Sequence, residues 1–236
     1  MSKLAKNLTT QRSARPVDPG FSLAERRAAR REGARTRSDD RYSQIREVAA
    51  QMFHEHGYAA TSLEDIAKAV GMNRATLYYY VRDKDELLID ILGDPLLDMT
   101  QRLVEICELD LPASERLSLA IQRHMITLAE QYPGLFIFFS ENLHILTVGT
   151  ERDIVQNSRL YADVFTQLIR DGQDSGEFAP HVDARISMLG IIGMCNWTHR
   201  WFQQGGALTL PQIGEQFSRM AVVGLAVKAG SVMPSA

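Results

Sequence analysis

From Ser38 onward, apolar residues recur at spacings of three and four almost without interruption, and no stretch sustains the alternation of a half-buried strand. That period predicts an all-α chain. Phe136-Ile137-Phe138-Phe139 has strand propensity, but an isolated strand would have nothing to pair with. Breakers at Gly57, Gly71, Gly93-Asp94-Pro95, Pro112, Pro133, Gly149, Gly176 to Pro180 and Gly205-Gly206 cut the pattern into segments. Helices are predicted over 39–56, a short segment after Ser62, 74–81, a helix opened by Asp83, and then 113–131, 133–146, 151–175, 183–204 and 210–229. Residues 1–20 have no apolar period and read as disordered, and 22–36 amount to a transient helix.

The first segments carry the clearest local signals. Ile45, Val48, Ala49, Met52 and Phe53 line one face of the first helix, and Gly57 is placed to end it in a left-handed cap. Ser62 is a good N-cap with Asp65 three residues on, and Leu63, Ile66, Ala67 and Val70 form the apolar face that follows. Gly71 supplies a tight turn, Asn73 caps the next helix, and Asp83 with Glu86 opens the fourth. A short helix, a Gly-containing turn and a second short helix make a helix-turn-helix. Its second helix carries Arg74, Thr76, Tyr79 and Tyr80, whose polar groups suit base edges and phosphates, while Leu77, Tyr78 and Val81 are placed to anchor it. The same pattern also fits a generic helical hairpin with surface tyrosines.

Charge is unevenly spread. Residues 1–37 hold ten Lys and Arg against three Asp and Glu, so a chain of net charge −3 is a basic arm on an acidic body. Such an arm suits a polyanion, although a merely solvated tail has the same composition. At 45% apolar and 23% charged, the chain is an ordinary globular sequence. Its apolar runs, such as Leu135–Phe139, fall far short of the roughly 20 residues that span a bilayer, and no secretory leader is visible. Cys107 and Cys195 lie in apolar periodic stretches and read as buried, reduced thiols of a cytoplasmic protein. There is no Gly-x-Ser-x-Gly elbow, no His-Glu-x-x-His and no Gly-rich phosphate loop, so an enzyme is not expected. His54-Glu55-His56 splays its imidazoles apart at i, i+2 and makes no metal site, and no cofactor is expected.

The run from Thr61 to Leu88, with Phe53 and Gly57 upstream, resembles the DNA-binding domain of the TetR family of bacterial repressors. It has Thr-Ser before Ile-Ala, Gly at the turn, Leu-Tyr-Tyr in the recognition helix and Lys before Glu-Leu-Leu. The resemblance covers about residues 39–90, with Tyr80 where His is common and Val81 where Phe is common. It implies that Arg74, Ala75, Thr76 and Tyr80 face bases, and that Tyr79 and Lys84 meet phosphates. Thr61 and Ser62 would meet phosphates through hydroxyl or backbone amide. Lys84 in the first turn of a helix suits this, because free N–H groups there already favour an anion.

The resemblance further implies three parts: the arm at 1–37, a helix-turn-helix domain at 38–92, and a larger regulatory domain at 93–230 that binds a ligand and dimerises. A bent fourth helix would join the last two at Gly93-Asp94-Pro95. Aromatic residues are frequent in the larger domain, and most read as ordinary core. The segment Met194–Gly206 differs. On a continuous helix it sets Trp197 and Trp201 at i, i+4 beside a second i, i+4 pair, Asn196 and Arg200. With Leu208-Thr209 and Ile213 to Gly224, it is similar to the C-terminal region of TetR-type regulators of fatty-acid and sterol catabolism that respond to acyl-CoA. The candidate effector set is Phe139, Tyr161, Phe165, Asn196, Trp197, Arg200 and Trp201. Small residues Gly190, Gly193, Ala221 and Gly224 would let the last two helices pair with their symmetry mates in a homodimer. The expected partners are a palindromic double-stranded operator and a small-molecule effector, with no membrane. An unrelated hydrophobic effector, such as a drug or quorum signal, fits the same sequence.

Overall fold

A computed structural model describes residues 37–140 and 151–227. The arm and the continuation of the 133–146 segment past residue 140 lie outside the described residues. Among the described residues, the regular structure is helical apart from one antiparallel bridge between Phe178 and Ala226. The helices are α1 Arg37–His56, α2 Leu63–Ala69, α3 Arg74–Tyr80, α4 Lys84–Cys107 and α5 Ala113–Glu130. They continue with α6 Gly134–Ser140, α7 Glu151–Asp174, α8 Ala184–Asn196 and α9 Leu210–Leu225, and a 3-10 turn at Trp197–Arg200 follows α8. The chain divides into two compact units between Ile91 and Leu92, and it passes from one to the other inside α4. Pro95 stands within α4, which runs as one helix from Lys84 to Cys107. Buried Leu92, Leu96 and Met99 hold this stretch helical although proline removes one of its hydrogen bonds.

In the first unit, Ile45, Ala49, Phe53, Tyr58, Ile66, Leu77 and Leu87 form the core. Gly57 ends α1 at φ 83°, with its N–H on the Phe53 carbonyl. Gly71 ends α2 at φ 69°. There the Met72 N–H returns to the Ala67 carbonyl at 2.8 Å and the Gly71 N–H to Lys68 at 3.0 Å, a closed double cap that only a left-handed residue allows.

The second unit is built on α5, which packs against α9, α7 and α8. Gly214 is the close approach on the α9 side: a Cβ there would sit 2.9 Å from Met125 Cβ. Gln122 donates to Ser218 across the same seam at 3.2 Å. Leu117, Ala120, His124 and Thr127 of α5 are also buried. Glu177, in the loop after α7, accepts hydrogen bonds from Ala113 N at 2.8 Å, Ser114 N at 3.0 Å and Ser114 Oγ at 2.6 Å. It thereby caps a helix whose own N-cap, Pro112, offers no side-chain acceptor.

Candidate nucleic-acid interface and effector site

The first unit assembles α3 from local chemistry. Ser62 accepts from Asp65 N and Asp65 reciprocates on Ser62 N, closing the expected capping box on α2. Asn73 accepts from Thr76 N at 2.8 Å and fixes the start of α3. At α4, Asp83 accepts from Glu86 N, but Glu86 reaches back to Arg82 N rather than to Asp83 N, a box displaced by one residue.

Within the two turns of α3, only Leu77 is buried, and Val81 just beyond it is buried as well. Arg74, Ala75, Thr76 and Tyr79 are exposed, Tyr79 to 80%, and Tyr80 is half-buried with its ring against Tyr79. Tyr78 does not anchor the helix as its apolar ring suggested. A two-turn helix presents one inward position, which Leu77 takes, and Tyr78 lies outside with its hydroxyl accepting from Arg74 at 3.2 Å. Arg74 and Tyr78 therefore form one polar unit on the exposed face, and Tyr78 joins the candidate interface.

Two expected phosphate contacts look inward. Thr61 is buried, its hydroxyl donating to Gly57 O at 2.9 Å and its N–H to Tyr58 O at 3.3 Å, so neither group faces solvent. The expectation for Thr61 gives way to a role inside the loop, because the turn after Gly57 leaves carbonyls that need a local donor. Lys84 is half-buried. Its ammonium donates to Tyr58 O at 2.6 Å and Thr61 O at 2.8 Å and lies 4.2 Å from the Tyr58 ring centre. Tyr58 in turn donates to Asp85. The first turn of α4 is thus pinned to the loop that presents α2. Ser62 remains exposed at the N-terminus of α2.

In the second unit, the candidate effector residues fall into two groups. Tyr161 and Asn196 meet at a residue the sequence reading did not single out, His124. Nδ1 of the buried imidazole lies 2.9 Å from Tyr161 Oη, and Nε2 lies 2.9 Å from Asn196 Oδ1. Since Asn196 Oδ1 only accepts, Nε2 carries the proton and Nδ1 accepts from the tyrosine. Burial holds His124 down at about 4, so it is neutral, and raises Tyr161 well above its ordinary value. Phe165 is buried beside Tyr161, with ring centres 6.1 Å apart. The only sequence signal for His124 is a histidine in the middle of an apolar helix face.

Trp197, Arg200 and Trp201 lie elsewhere. The helix expected to reach residue 204 ends at Asn196. Thr198, fully buried, donates its hydroxyl to Cys195 O at 2.7 Å, and the chain tightens into a 3-10 turn. In that geometry i and i+3 eclipse, so Trp197 aligns with Arg200, 5.7 Å from guanidinium to ring centre, and not with Trp201. Both tryptophans are exposed, to 59% and 49%. Phe139 lies half-buried against Phe138 on α6. A shallow groove lined by Arg102, Glu105, Ile106, Leu109 and Arg123 opens on the α4 and α5 side of this unit. On α8 and α9, the apolar side chains Ile186, Leu189, Met220 and Val223 are exposed, and a Cβ at Gly190, Gly193 or Gly224 would meet nothing within 4 Å.

Among the described residues, no helix is long and apolar enough to cross a membrane. Residues 45–91 match the family described as bacterial regulatory proteins, tetR family, and residues 110–225 match the tetracyclin repressor-like C-terminal domain. The chain is 24% identical over 188 residues to the HTH-type transcriptional repressor KstR2 of Mycobacterium tuberculosis, covering 79% of this chain and 94% of that one. It is 26% identical over 158 residues to the fatty acid metabolism regulator protein of Bacillus subtilis, covering 67% and 81%. The fold is shared with the solved structure of the ketosteroid regulator KstR2 (TM-score 0.75, 22% identity, 83% and 97% covered). It is also similar to AibR solved with isovaleryl coenzyme A and operator DNA (TM-score 0.65, 26% identity, 79% and 98% covered). The chain belongs to the TetR family of bacterial regulatory proteins, which are DNA-binding transcription regulators and not enzymes.

Proposed function

We propose that this regulator is a cytoplasmic homodimeric repressor that holds a palindromic operator through α3 and is released by an acyl-CoA thioester. The observation that carries the DNA reading is the exposed face of α3, where Arg74, Ala75, Thr76, Tyr78 and Tyr79 stand outside the core and Leu77 holds them in place. The open apolar faces of α8 and α9 support a two-fold pairing. Large exposed side chains there flank glycines that a second backbone can approach. The effector class is supported by KstR2 and the fatty acid regulator as relatives and by AibR, whose structure holds isovaleryl coenzyme A.

Release requires the effector to favour one of two arrangements. The element available to carry that bias is α4, which belongs to both units. A shift of α4 would move two recognition helices away from the spacing of successive major grooves, about 34 Å. In this proposal Tyr161, Phe165 and Asn196 contact the effector from inside, while Trp197, Arg200, Trp201 and Phe139 meet its outer part. The test is an operator-binding titration at one salt concentration, with and without acyl-CoAs of several chain lengths, on wild type and Trp197→Ala. Release of wild type by at least one thioester is expected, with a weaker response in the variant. Release only by an unrelated hydrophobic compound would reject the effector class.

A further inference from the structure

Among the described residues, hydroxyl groups buried in the second unit follow one rule with a single exception. Thr100 donates to Leu96 O, Thr166 to Ala162 O, Thr198 to Cys195 O and Ser218 to Glu215 O, each finding a carbonyl three or four residues back. Thr127 does not. It is 1% exposed, and its Oγ1 has no hydrogen-bond partner. A carbonyl lies one turn back on α5, as it does for the others, yet the hydroxyl is not turned to it. A buried unpaired hydroxyl is a standing cost, and such groups in native proteins call for a reason.

The position supplies one. Thr127 is one turn from His124 among the buried residues of α5, and His124 meets α7 through Tyr161 and the end of α8 through Asn196. His124 has no capacity left: Nδ1 is on Tyr161 and Nε2 on Asn196. The Thr127 hydroxyl, one turn along the helix, is left without an acceptor. The same face of α5 carries Arg123 one turn before Thr127, and that guanidinium is engaged by Glu130 at 2.6 Å. A carbonyl oxygen is the neutral acceptor that such a hydroxyl lacks, and it needs only one donor.

We propose that Thr127 Oγ–H, beside the Tyr161–His124–Asn196 chain, is the donor that reads an uncharged carbonyl oxygen of the effector. This residue makes the site prefer a thioester over a thioether without the carbonyl. The inference rests on the effector class proposed above and adds the residue that recognises its functional group.

The experiment uses full-length dimer, operator DNA and two matched probes: palmitoyl-CoA and hexadecyl-CoA, which lacks the carbonyl. Octanoyl and butyryl sets serve if the longer chain is inert. Wild type should need about tenfold more of the thioether than of the thioester for half-release, the equivalent of one hydrogen bond. Thr127→Val should respond to thioester and thioether alike. Its ligand-free form should melt at a higher temperature than wild type, because the orphan hydroxyl is gone and the shape is kept. Thr127→Ser should retain the tenfold preference, and Thr127→Ala should lose it, which keeps the comparison open if the valine variant folds poorly. A valine or alanine variant that still prefers the thioester tenfold overturns the assignment. If no thioester of any length releases wild type, the effector class itself is wrong, and the inference falls with it.

Discussion

Glu177 offers a direct measure of what holds the regulatory unit together. Its carboxylate accepts from Ala113 N, Ser114 N, Ser114 Oγ and Ser175 Oγ at 2.6 to 3.0 Å. Two of these donors are among the first N–H groups of α5, which lack partners within the helix. Although some burial raises the carboxyl, the Ser114 hydroxyl and the two amide donors outweigh it and hold the group at about 2 rather than 4.5. Glu177→Gln keeps the shape, loses the charge and turns an NH2 toward donors. Hydrogen bonds to a charged acceptor are worth about 1.5–3 kcal/mol, and only part of that survives in the amide, so a loss of about 2 kcal/mol is expected. For a unit of this size that is a fall in melting temperature of about 4–8 °C. The folded carboxyl titrates below its unfolded value, so the stabilisation is complete above pH 4.5 and disappears as pH falls through 2. One pH unit into that window removes about 1.4 kcal/mol, so the gap between wild type and variant should shrink by more than half at pH 3.5. The assay is paired thermal or urea melts at pH 7 and pH 3.5, at one protomer concentration because the melting of a dimer depends on it. Equal stability at pH 7, or a gap of the same size at both pH values, would refute the capping argument.

On the DNA side, Tyr79→Ala should weaken binding to all sequences alike, while Arg74→Ala should in addition relax preference at one base pair, by about 1–3 kcal/mol. Mobility-shift titrations against single-substituted operators distinguish the two patterns. Lys84→Met should lower the stability of the first unit by about 1.5–3 kcal/mol as well as any affinity it contributes. It leaves the Tyr58 and Thr61 carbonyls without their shared donor, and melting of the DNA-free protein reads this separately. Gly172→Ala should destabilise by about 1–3 kcal/mol in urea melts, because the new Cβ would lie 2.1 Å from the buried Phe178 ring.

What the sequence disclosed here is what local chemistry decides. Gly57, Ser62 with Asp65, Gly71 and Asn73 act within five residues of themselves, and each sits in the structure as its spacing predicts. Tertiary demands were less legible. Thr61 reads as a surface residue until Gly57 O is seen to need its hydroxyl. His124 gains its meaning from Tyr161 and Asn196, 37 and 72 residues further along the chain, a pairing that no local pattern encodes. The Trp197–Trp201 face presupposed a continuous helix. The side-chain bond of Thr198 to Cys195 O replaces it with a 3-10 turn, a choice that depends on burial of Thr198 rather than on propensity.

The single inward side chain of α3 has a consequence for how such a protein changes over generations. Arg74, Ala75, Thr76, Tyr78 and Tyr79 contribute almost nothing to the core, so exchanging them leaves folding nearly untouched; surface substitutions of this kind usually shift stability by less than about 0.5 kcal/mol. After gene duplication, one copy could drift to a new operator through these positions while Leu77, Val81 and the two caps stay fixed. Selection on binding sites and selection on stability would then act on separate residues, and a lineage could diversify its targets without passing through unfolded intermediates.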